Sequence, residues 1–185
     1  MAAQATSDAH EGPPGFDEVY ETHVAFLFRA ARGLGVPPSA AEDLVQDVFL
    51  VVHRRLHEHD GRSVRAWVLR ILVNVVRQHR RRYTRRGGAH APLDDSPEPV
   101  DPAPTPERRA ELAEAARMLD VLLSEMPDER REVFVLAEIE GVSASEIAEA
   151  TEVSVNTVYS RLRLARRDYR AGLVRMRAKS RWRAQ

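Results

Sequence analysis

Hydrogen-bonding and basic side chains recur on one face of a helix that the sequence predicts in the second half of the chain, ending near Ala171. Val158, Leu162 and Ala165 mark the opposite, packing face of this helix. Side chains of the Asn, Ser, Thr and Arg type can bond to base edges, and arginines can also hold phosphates. The spacing therefore predicts contact with duplex nucleic acid. The polar face consists of Asn156, Thr157, Ser160, Arg161, Arg163 and Arg167.

A shorter helix and a tight turn are predicted just before this one. Ser143 and Glu146 have the spacing of a capping box, and Ile147 and Ala148 fall on the inner face that follows. Ser154 is placed to cap the second helix. This pair, with a basic outer face on its second member, is typical of a helix-turn-helix, whose second helix enters the major groove. An ordinary helical hairpin with a solvated face is the alternative interpretation.

The first half of the chain contains a second group of candidate binding residues. Residues 61–93 hold nine Arg and no Asp or Glu, with aromatic and amide side chains between them. This combination suits single-stranded nucleic acid, because bases stack on planar side chains while phosphates pair with Arg. Trp67 lies beside Val68 and Ile71, which favours core packing over base stacking. Asn74 fits either a base contact or a hydrogen bond to the backbone, and the sequence leaves both open.

An acidic and polar stripe precedes this basic block. Asp43, Gln46 and Asp47 fall on one helical face, away from the apolar stripe of Leu44 and Val48. Paired carboxylates can perform acid–base catalysis or hold a metal ion. No nucleophile, glycine-rich phosphate loop or third ligand lies near them in the sequence. A solvated face or a docking face for a basic partner is therefore the favoured interpretation.

Histidines offer the other candidate metal ligands. His53 and His57 are four residues apart and could share a metal, but Glu58 is their only local helper. The sequence therefore predicts no metal site and no cofactor. The chain has no Cys, which excludes disulfide bonds, Cys-ligated zinc and thiol catalysis.

Apolar spacing predicts that all the elements positioning these residues are helices. The first begins near Phe16, the second is capped by Ser39, and the third, capped by Ser63, spans about residues 67–82. Helical patterning resumes at Glu107, and no segment has the pattern of a strand.

A linker separates the two helical halves. Residues 87–106 contain six Pro and four acidic residues without Lys or Arg, so this segment cannot bury enough apolar surface to fold alone. Its prolines keep it semi-extended. The sequence thus predicts an all-α protein in which two small helical domains are joined by a flexible Pro-rich linker.

Charge is balanced over the whole chain but strongly segregated along it. Lys+Arg and Asp+Glu both total 28, yet residues 161–183 carry nine Arg and one Lys against a single acid. Residues 107–152 carry thirteen acids against five Arg. Two separate basic blocks suggest two sites for a polyanion. The sequence has neither a membrane-spanning run nor a signal-peptide pattern at its start, which predicts a cytoplasmic protein without membrane insertion.

Taken together, the two halves resemble a bacterial RNA polymerase sigma factor of the extracytoplasmic-function (ECF) group, over about residues 16–172. The first half contains AEDLVQDVF at 41–49 and RAWVLRILVN at 65–74, followed by an Arg run. The second half contains EMPDERREVF at 125–134, then EIAEA and NTVYSRLRLAR. Two positions depart from the usual pattern: Gln78 stands where the family commonly has Asp, and Met126 replaces Leu.

The resemblance implies a division of the chain by function. Residues 16–86 would form a region 2-like domain for polymerase docking and the −10 element. Residues 107–172 would form a region 4-like helix-turn-helix domain for the −35 element. Residues 87–106 would be the acidic linker, with a disordered tail at 1–15 and a basic tail at 173–185.

The resemblance also implies roles for individual residues. Asp43, Gln46 and Asp47 would bind the clamp coiled coil of the polymerase's largest subunit, and the helix-turn-helix polar face described above would read the −35 duplex. The −10 element, as a separated strand, would be contacted by Arg62, Arg65, Asn74, Arg77, Gln78 and Arg81. The implied partners are core RNA polymerase and promoter DNA, and a trans-acting anti-sigma factor is common in the group. Such a protein is not an enzyme.

Two other functions are open to test. A stand-alone helix-turn-helix regulator would bind duplex DNA without polymerase, but the basic block of the first half argues against it. A metal-dependent hydrolase using His53, His57 and nearby acids would bind about one metal ion per chain, and no complete catalytic set is visible.

Overall fold

The computed structural model describes residues 15–59, 63–85 and 105–183. Every regular element in these ranges is helical, and none of the helices they contain is long and apolar enough to cross a membrane. The predicted N-terminal tail up to residue 14, Arg62 and nearly all of the predicted linker lie outside the described residues. The prediction of an all-α fold is confirmed for the described residues.

Within the described ranges, three α-helices form the first half and four form the second. In the first half these are α1 (Phe16–Gly33), α2 (Pro38–Arg55), which runs into a 3₁₀ turn at Leu56–Glu58, and α3 (Val64–Arg85). In the second half these are α4 (Pro106–Ser124), α5 (Asp128–Phe134), which continues as a π-helical turn at Val135–Ile139, α6 (Ala144–Thr151) and α7 (Val155–Arg183).

Helices α1, α2 and α3 pack on one another through the apolar stripes predicted from the sequence. Leu27 of α1, Val48 of α2 and Leu72 of α3 are completely buried. Burying each such side chain contributes about 1.5–3 kcal/mol. The shared core holds the three helices in a fixed arrangement and leaves their polar faces outside.

The prediction that Ser39 caps α2 is wrong. The helix begins at Pro38, and its cap position is occupied by Pro37, so Ser39 lies within the first turn and is exposed. A proline at the first helical position has a suitable φ and lacks the N–H that a cap would satisfy. The predicted cap of α3 is confirmed, because the backbone N–H of Ala66 donates to Ser63 Oγ at 3.2 Å.

Both predicted caps of the helix-turn-helix are confirmed. The Ser143 hydroxyl accepts from the Glu146 backbone N–H at 3.3 Å, and the Glu146 carboxylate accepts from the Ser143 backbone N–H at 3.1 Å. Ser154 Oγ accepts from the Thr157 backbone N–H at 3.1 Å. Between the two helices, Glu152 adopts a left-handed conformation with φ of 60°, which reverses the chain.

The prediction that α7 ends near Ala171 is wrong, because the helix continues to Arg183. Gly172 lies inside the helix, where a side chain would collide with Leu122 of α4. The glycine thus permits close packing of α4 and α7, and the residues that follow it are mostly good helix formers.

The two halves pack against each other, and their buried apolar residues form one continuous cluster. Val135 of the π-helical turn lies against Gly33 at the end of α1. Arg131 of α5 is 1% exposed, and its Nε donates to the Gly33 carbonyl oxygen at 3.0 Å. Gly35, with φ of 91°, leaves the space that this guanidinium fills. The sequence did not predict this contact.

Candidate nucleic-acid interface and docking face

The acidic stripe of α2 is exposed, as its spacing predicts. Asp43, Gln46 and Asp47 all face outward, while Leu44 and Val48 are buried. The structure thus brings these three polar side chains together on one outer face of the first half.

An apolar groove of about 680 Å³ runs along the same side of the first half, between α1 and α2. Gln46 lines it together with Leu50, which is 48% exposed. The aromatic rings of Tyr20 and Phe49, 4.6 Å apart between centroids, form part of its wall. Carboxylates beside an exposed apolar groove suit a helical partner with apolar and basic side chains.

Three of the predicted strand-binding residues form one outward stripe on α3. Asn74, Gln78 and Arg81 follow one another at intervals of four and three residues and are exposed. Their amide and guanidinium groups can bond to base edges and phosphates. Asn74 is therefore available for a base contact, which was one of the two possibilities left open by the sequence.

Two other predicted strand-binding residues turn towards the second half. The Arg65 guanidinium lies 4.9 Å from the centre of the Phe26 ring and donates to the Glu140 carbonyl oxygen at 3.1 Å. Arg77 pairs with the Glu132 carboxylate at 2.9 Å. Trp67 is partly buried against the core, as favoured by its sequence context.

The polar face of α7 divides into two groups. Asn156, Ser160, Arg163 and Arg167 are all exposed and follow one stripe of the helix. Thr157 is half-buried beside Ser154, with their hydroxyl oxygens 2.8 Å apart. These four exposed residues present amide, hydroxyl and guanidinium groups at a spacing that fits a groove.

Arg161 differs from its neighbours on α7. Its guanidinium forms an ion pair with Glu129 of α5 at 2.9 Å. A cleft next to this pair is lined on one side by α3 arginines and on the other by acids of α5 and by Arg161. Its charged lining residues are Arg77, Arg80, Arg81, Asp128, Glu129, Glu132 and Arg161.

Sequence reasoning did not identify Tyr159 as a candidate contact residue on α7. Its side chain is 59% exposed and lies one turn from both Asn156 and Arg163. Its position outside the apolar stripe of Val158 and Leu162 was the signal that could have identified it. An exposed aromatic ring can make apolar contact with a base edge such as the thymine methyl group.

Burial changes the pKa of Arg131, which lies next to the charged cleft. Burial and, after it, the charge of Arg80 lower the pKa of Arg131 to about 10. The guanidinium therefore stays charged at neutral pH, and Asp128 and Asp120 help to keep it so. Arg131 is thus a buried cation that bonds to Gly33 of the first half and is stabilised by Asp128 and Asp120 of the second.

The two candidate metal ligands, His53 and His57, contact an aromatic ring and a single carboxylate in the structure. The His53 ring packs edge-on against Phe16 with 5.0 Å between centroids, and His57 lies 4.0 Å from Glu58. Within residues 15–59, 63–85 and 105–183, no cluster of three or more His, Asp or Glu side chains could hold a metal ion.

Comparison with protein families gives two matches along the chain. The model of Sigma-70 region 2 matches residues 19–86, and the model of Sigma-70 region 4 matches residues 116–168. The first match covers α1 to α3 and the second covers the helix-turn-helix.

Curated relatives match over most of the chain. It is 34% identical to the RNA polymerase sigma factor CnrH of Cupriavidus metallidurans over 90% of this chain and 88% of the relative. It is 33% identical to the RNA polymerase sigma factor NccH of Alcaligenes xylosoxydans, over 82% of each. It is 32% identical to the ECF RNA polymerase sigma factor SigE of Mycolicibacterium smegmatis over 85% of this chain, which spans 62% of that protein's length.

Solved structures share the architecture. CnrH in complex with the cytosolic domain of CnrY matches with a TM-score of 0.64 at 30% identity, over 85% of this chain and 86% of the other. The sigma factor RpoE of Bartonella quintana, in complex with the anti-sigma factor NepR, matches with a TM-score of 0.69 over 85% of this chain and 96% of the other. The second match, at 21% identity, shows the fold alone.

Proposed function

Because the chain belongs to the ECF group of RNA polymerase sigma factors, we propose that it acts as a promoter-specificity subunit of core RNA polymerase. In this role it lends the polymerase recognition of the −10 and −35 elements and leaves the chemistry to the polymerase, so it is not an enzyme. Its place of action is the cytoplasm, where the polymerase and the DNA are.

Docking on the polymerase takes place on the outer face of α2. Asp43, Gln46 and Asp47 offer a negative, hydrogen-bonding surface, and Leu50 next to them offers exposed apolar area. The clamp coiled coil of the largest polymerase subunit is the partner that the family relationship suggests for this face. Opposite charge on the two partners speeds their encounter and fixes their orientation.

Recognition of the −10 element falls to the outer stripe of α3. Asn74 and Gln78 have amides that can pair with base edges of a separated strand, and Arg81 can hold its phosphate backbone. Arg65 and Arg77 belong to the same block and would join this surface once they leave their contacts with the second half. Arg62 lies outside the described residues and remains part of the proposal on sequence grounds alone.

Recognition of the −35 element falls to α7. The helix-turn-helix presents Asn156, Ser160 and Arg163 at the beginning of its second helix, where base edges are met in this motif. Arg167 lies further along and is placed for a phosphate contact. Thr157 and Arg161 complete the predicted set, with Thr157 next to the cap and Arg161 paired to Glu129.

An anti-sigma factor is a further partner. CnrH and RpoE, which share this fold, have been solved in complexes with CnrY and with the anti-sigma factor NepR. We infer that a dedicated protein of this class restrains the present chain in trans. No residue of the chain identifies that protein.

The observation that carries the proposal is the capped helix-turn-helix with its exposed polar stripe, in one chain with an exposed acidic face on α2. The test is copurification with core RNA polymerase followed by run-off transcription on a library of genomic fragments. Initiation at a defined set of promoters, dependent on both proteins, is the expected result. A chain that binds specific duplex DNA but never binds polymerase would instead be a stand-alone regulator.

A further inference from the structure

The arginines of α7 divide into those that pair with an acid and those that do not. Arg166 pairs with Glu138 at 2.6 Å. Arg175 pairs with Glu125, at the end of α4, at 2.5 Å. Three exposed arginines, by contrast, form no ion pair with any residue that the structure describes, and these are Arg163, Arg170 and Arg177.

The three unpaired arginines lie on one face of the helix. They stand seven residues apart in the sequence, which is close to two helical turns, or about 10.5 Å along the axis. Asn156, at the start of the exposed polar stripe, stands seven residues before Arg163. The stripe that carries the proposed base contacts therefore continues to Arg177 as a row of cations. We call Arg163, Arg170 and Arg177 the arginine row.

No acid of α7 neutralises the arginine row. Asp168 is the only acid in residues 161–183 of the sequence, and its carboxylate turns to Arg130 of α5 at 2.7 Å. Arg167, the neighbour of Asp168 in the chain, approaches it at 3.8 Å and keeps 69% of its side chain exposed. The row thus presents its full positive charge to the solvent.

Contacts with α4 fix the direction of the row beyond the helix-turn-helix. Gly172 has no side chain, and Leu122 of α4 packs against this position. The ion pair of Arg175 with Glu125 adds a second contact close by. The helix runs unbroken for 29 residues up to Arg183. The row is therefore carried by the same rod as the proposed base-reading residues.

This helix is longer than a DNA groove is wide. Its 29 residues extend over about 43 Å, whereas the major groove is about 12 Å wide. In a helix-turn-helix, the first turns of the second helix meet the base edges. Arg170 and Arg177 lie about 21 and about 32 Å from Asn156 along the axis. A helix that leaves the groove passes the phosphates of its rim, so these are the DNA groups within reach of the two arginines.

We propose that Arg170 and Arg177 bind backbone phosphates next to the −35 element, so that α7 adds sequence-independent affinity to the base contacts of its first turns. This inference rests on the proposed function, in which α7 reads the −35 duplex. Guanidinium groups bind phosphates through charge-assisted hydrogen bonds. Each such contact also releases condensed counterions from the DNA. The row is complementary in charge to this partner and continuous with the surface that reads it.

The test compares promoter binding by core polymerase carrying the native chain or one of two double variants. Arg170→Gln/Arg177→Gln removes both guanidinium groups and keeps a good helix former at each position. Arg109→Gln/Arg117→Gln removes the same charge from exposed positions of α4 and is the matched control. Affinity for a fluorescein-labelled promoter duplex is measured at several salt concentrations.

The α7 variant should bind more weakly than the control and depend less on salt. Each phosphate contact contributes about 0.9 to the slope of log affinity against log salt concentration, so the slope should fall by about 1.8. Between about 50 and about 200 mM salt, the affinity of this variant should then fall about tenfold less than that of the native chain. The loss at low salt should be equal on templates with the native and the altered −35 sequence, because phosphates carry no base identity.

Three results would overturn the proposal. The first is a salt slope equal to that of the control variant. The second is a loss of affinity confined to the native −35 sequence, which would indicate a base contact. The third is reduced run-off transcription without any change in DNA binding, which would assign the row to an acidic protein surface. Failure of the native chain with polymerase to bind the promoter at all would instead contradict the proposed function.

A charge-retaining variant tests the phosphate contact in the opposite direction. Arg170→Lys/Arg177→Lys keeps both cations and loses the planar guanidinium groups. Because Lys binds phosphate as a point charge, we expect the salt slope to return to the native value. A slope as low as that of Arg170→Gln/Arg177→Gln, with both chains equally helical by circular dichroism, would contradict phosphate binding.

Discussion

On α7, an exposed arginine of the polar stripe should respond to substitution differently from an arginine that is held by an ion pair. Arg163→Ala removes an exposed guanidinium that forms no ion pair with any residue the structure describes. Since a bidentate contact to a base contributes about 1–3 kcal/mol of discrimination, we expect about a tenfold loss of −35-dependent run-off transcription. The control is Arg166→Ala on the adjacent face, where the arginine pairs with Glu138 at 2.6 Å. Equal losses for both variants would remove Arg163 from the contact face.

The capping box should stabilise the helix-turn-helix in a pH-dependent way. Ser143→Ala is expected to lower the free energy of unfolding by about 0.5–2 kcal/mol near neutral pH. Ser39→Ala, at the position that caps nothing, should change it by less than about 0.5 kcal/mol. Chemical denaturation of the three chains measures both effects.

The pH dependence follows from Glu146. Its side-chain hydrogen bond with Ser143 lowers the pKa of this carboxyl from 4.5. A lowered carboxyl pKa stabilises the fold above the unfolded value, and that contribution is lost as the pH falls through the folded value. The difference between the native chain and Ser143→Ala should therefore shrink as the pH falls below 4.5. A difference that does not change with pH would contradict this role of Glu146.

Residues whose partners lie within one turn were predictable, and those with distant partners were not. The Ser143 and Ser154 caps depend on neighbours three residues away, so spacing alone identified them. Arg131 bonds to a carbonyl 98 residues earlier in the chain, and no local pattern signals such a contact. The prediction that Ser39 caps α2 was wrong because Pro37 occupies the cap position and Pro38 begins the helix.

At the scale of the element, α2 should carry polymerase binding. Asp43→Arg with Gln46→Arg reverses the charge of its outer face and should abolish copurification with core polymerase, because like charges then oppose each other across the interface. The melting temperature should change little, since both residues are exposed. Ala110→Arg with Glu114→Arg on α4 makes the same charge change at exposed positions and should leave polymerase binding intact. Copurification of the α2 double variant would show that the docking assignment is wrong.

The apolar periodicity predicted the positions of the helices but not the C-terminal ends of α5 and α7. The apolar stripes of α1 to α3 appear in the structure as buried faces, as expected. Continuation of α7 beyond Gly172 was missed because glycine commonly ends helices, whereas here it makes room for Leu122. The π-helical turn at Val135–Ile139 was also unforeseen, since Val135 packs against Gly33 of the first half, about a hundred residues earlier in the chain.

The balanced charge of the chain as a whole has a structural counterpart. The acidic segment of residues 107–152 supplies the carboxylates that meet arginines of residues 61–93. The segregation along the sequence predicted two polyanion sites, but not that one charged segment would cover the other. That outcome depends on the contacts of Gly33 and Gly35 with Val135 and Arg131, which the charge segregation along the sequence does not predict.

The fit of the two halves should therefore be sensitive to a single methyl group. In Gly33→Ala the new Cβ would lie 2.7 Å from Val135 Cγ1, so the contact must loosen. Alanine favours a helix over glycine by about 1 kcal/mol, so α1 itself should not suffer. Small-angle scattering should give a larger radius of gyration than for the native chain. Gly15→Ala is the control, because no described residue outside its chain neighbours lies within 4 Å of the new Cβ, and it should leave the radius unchanged.

Promoter recognition by the chain is tested most directly by run-off transcription by core RNA polymerase with and without the native chain, on templates in which the −35 or the −10 element is altered. If the chain is a promoter-specificity subunit, initiation will require the chain, fall when either element is changed, and fall for Arg163→Ala only while the −35 element is intact. Initiation that does not depend on the chain, or a chain that binds duplex DNA specifically without ever binding polymerase, would contradict this role.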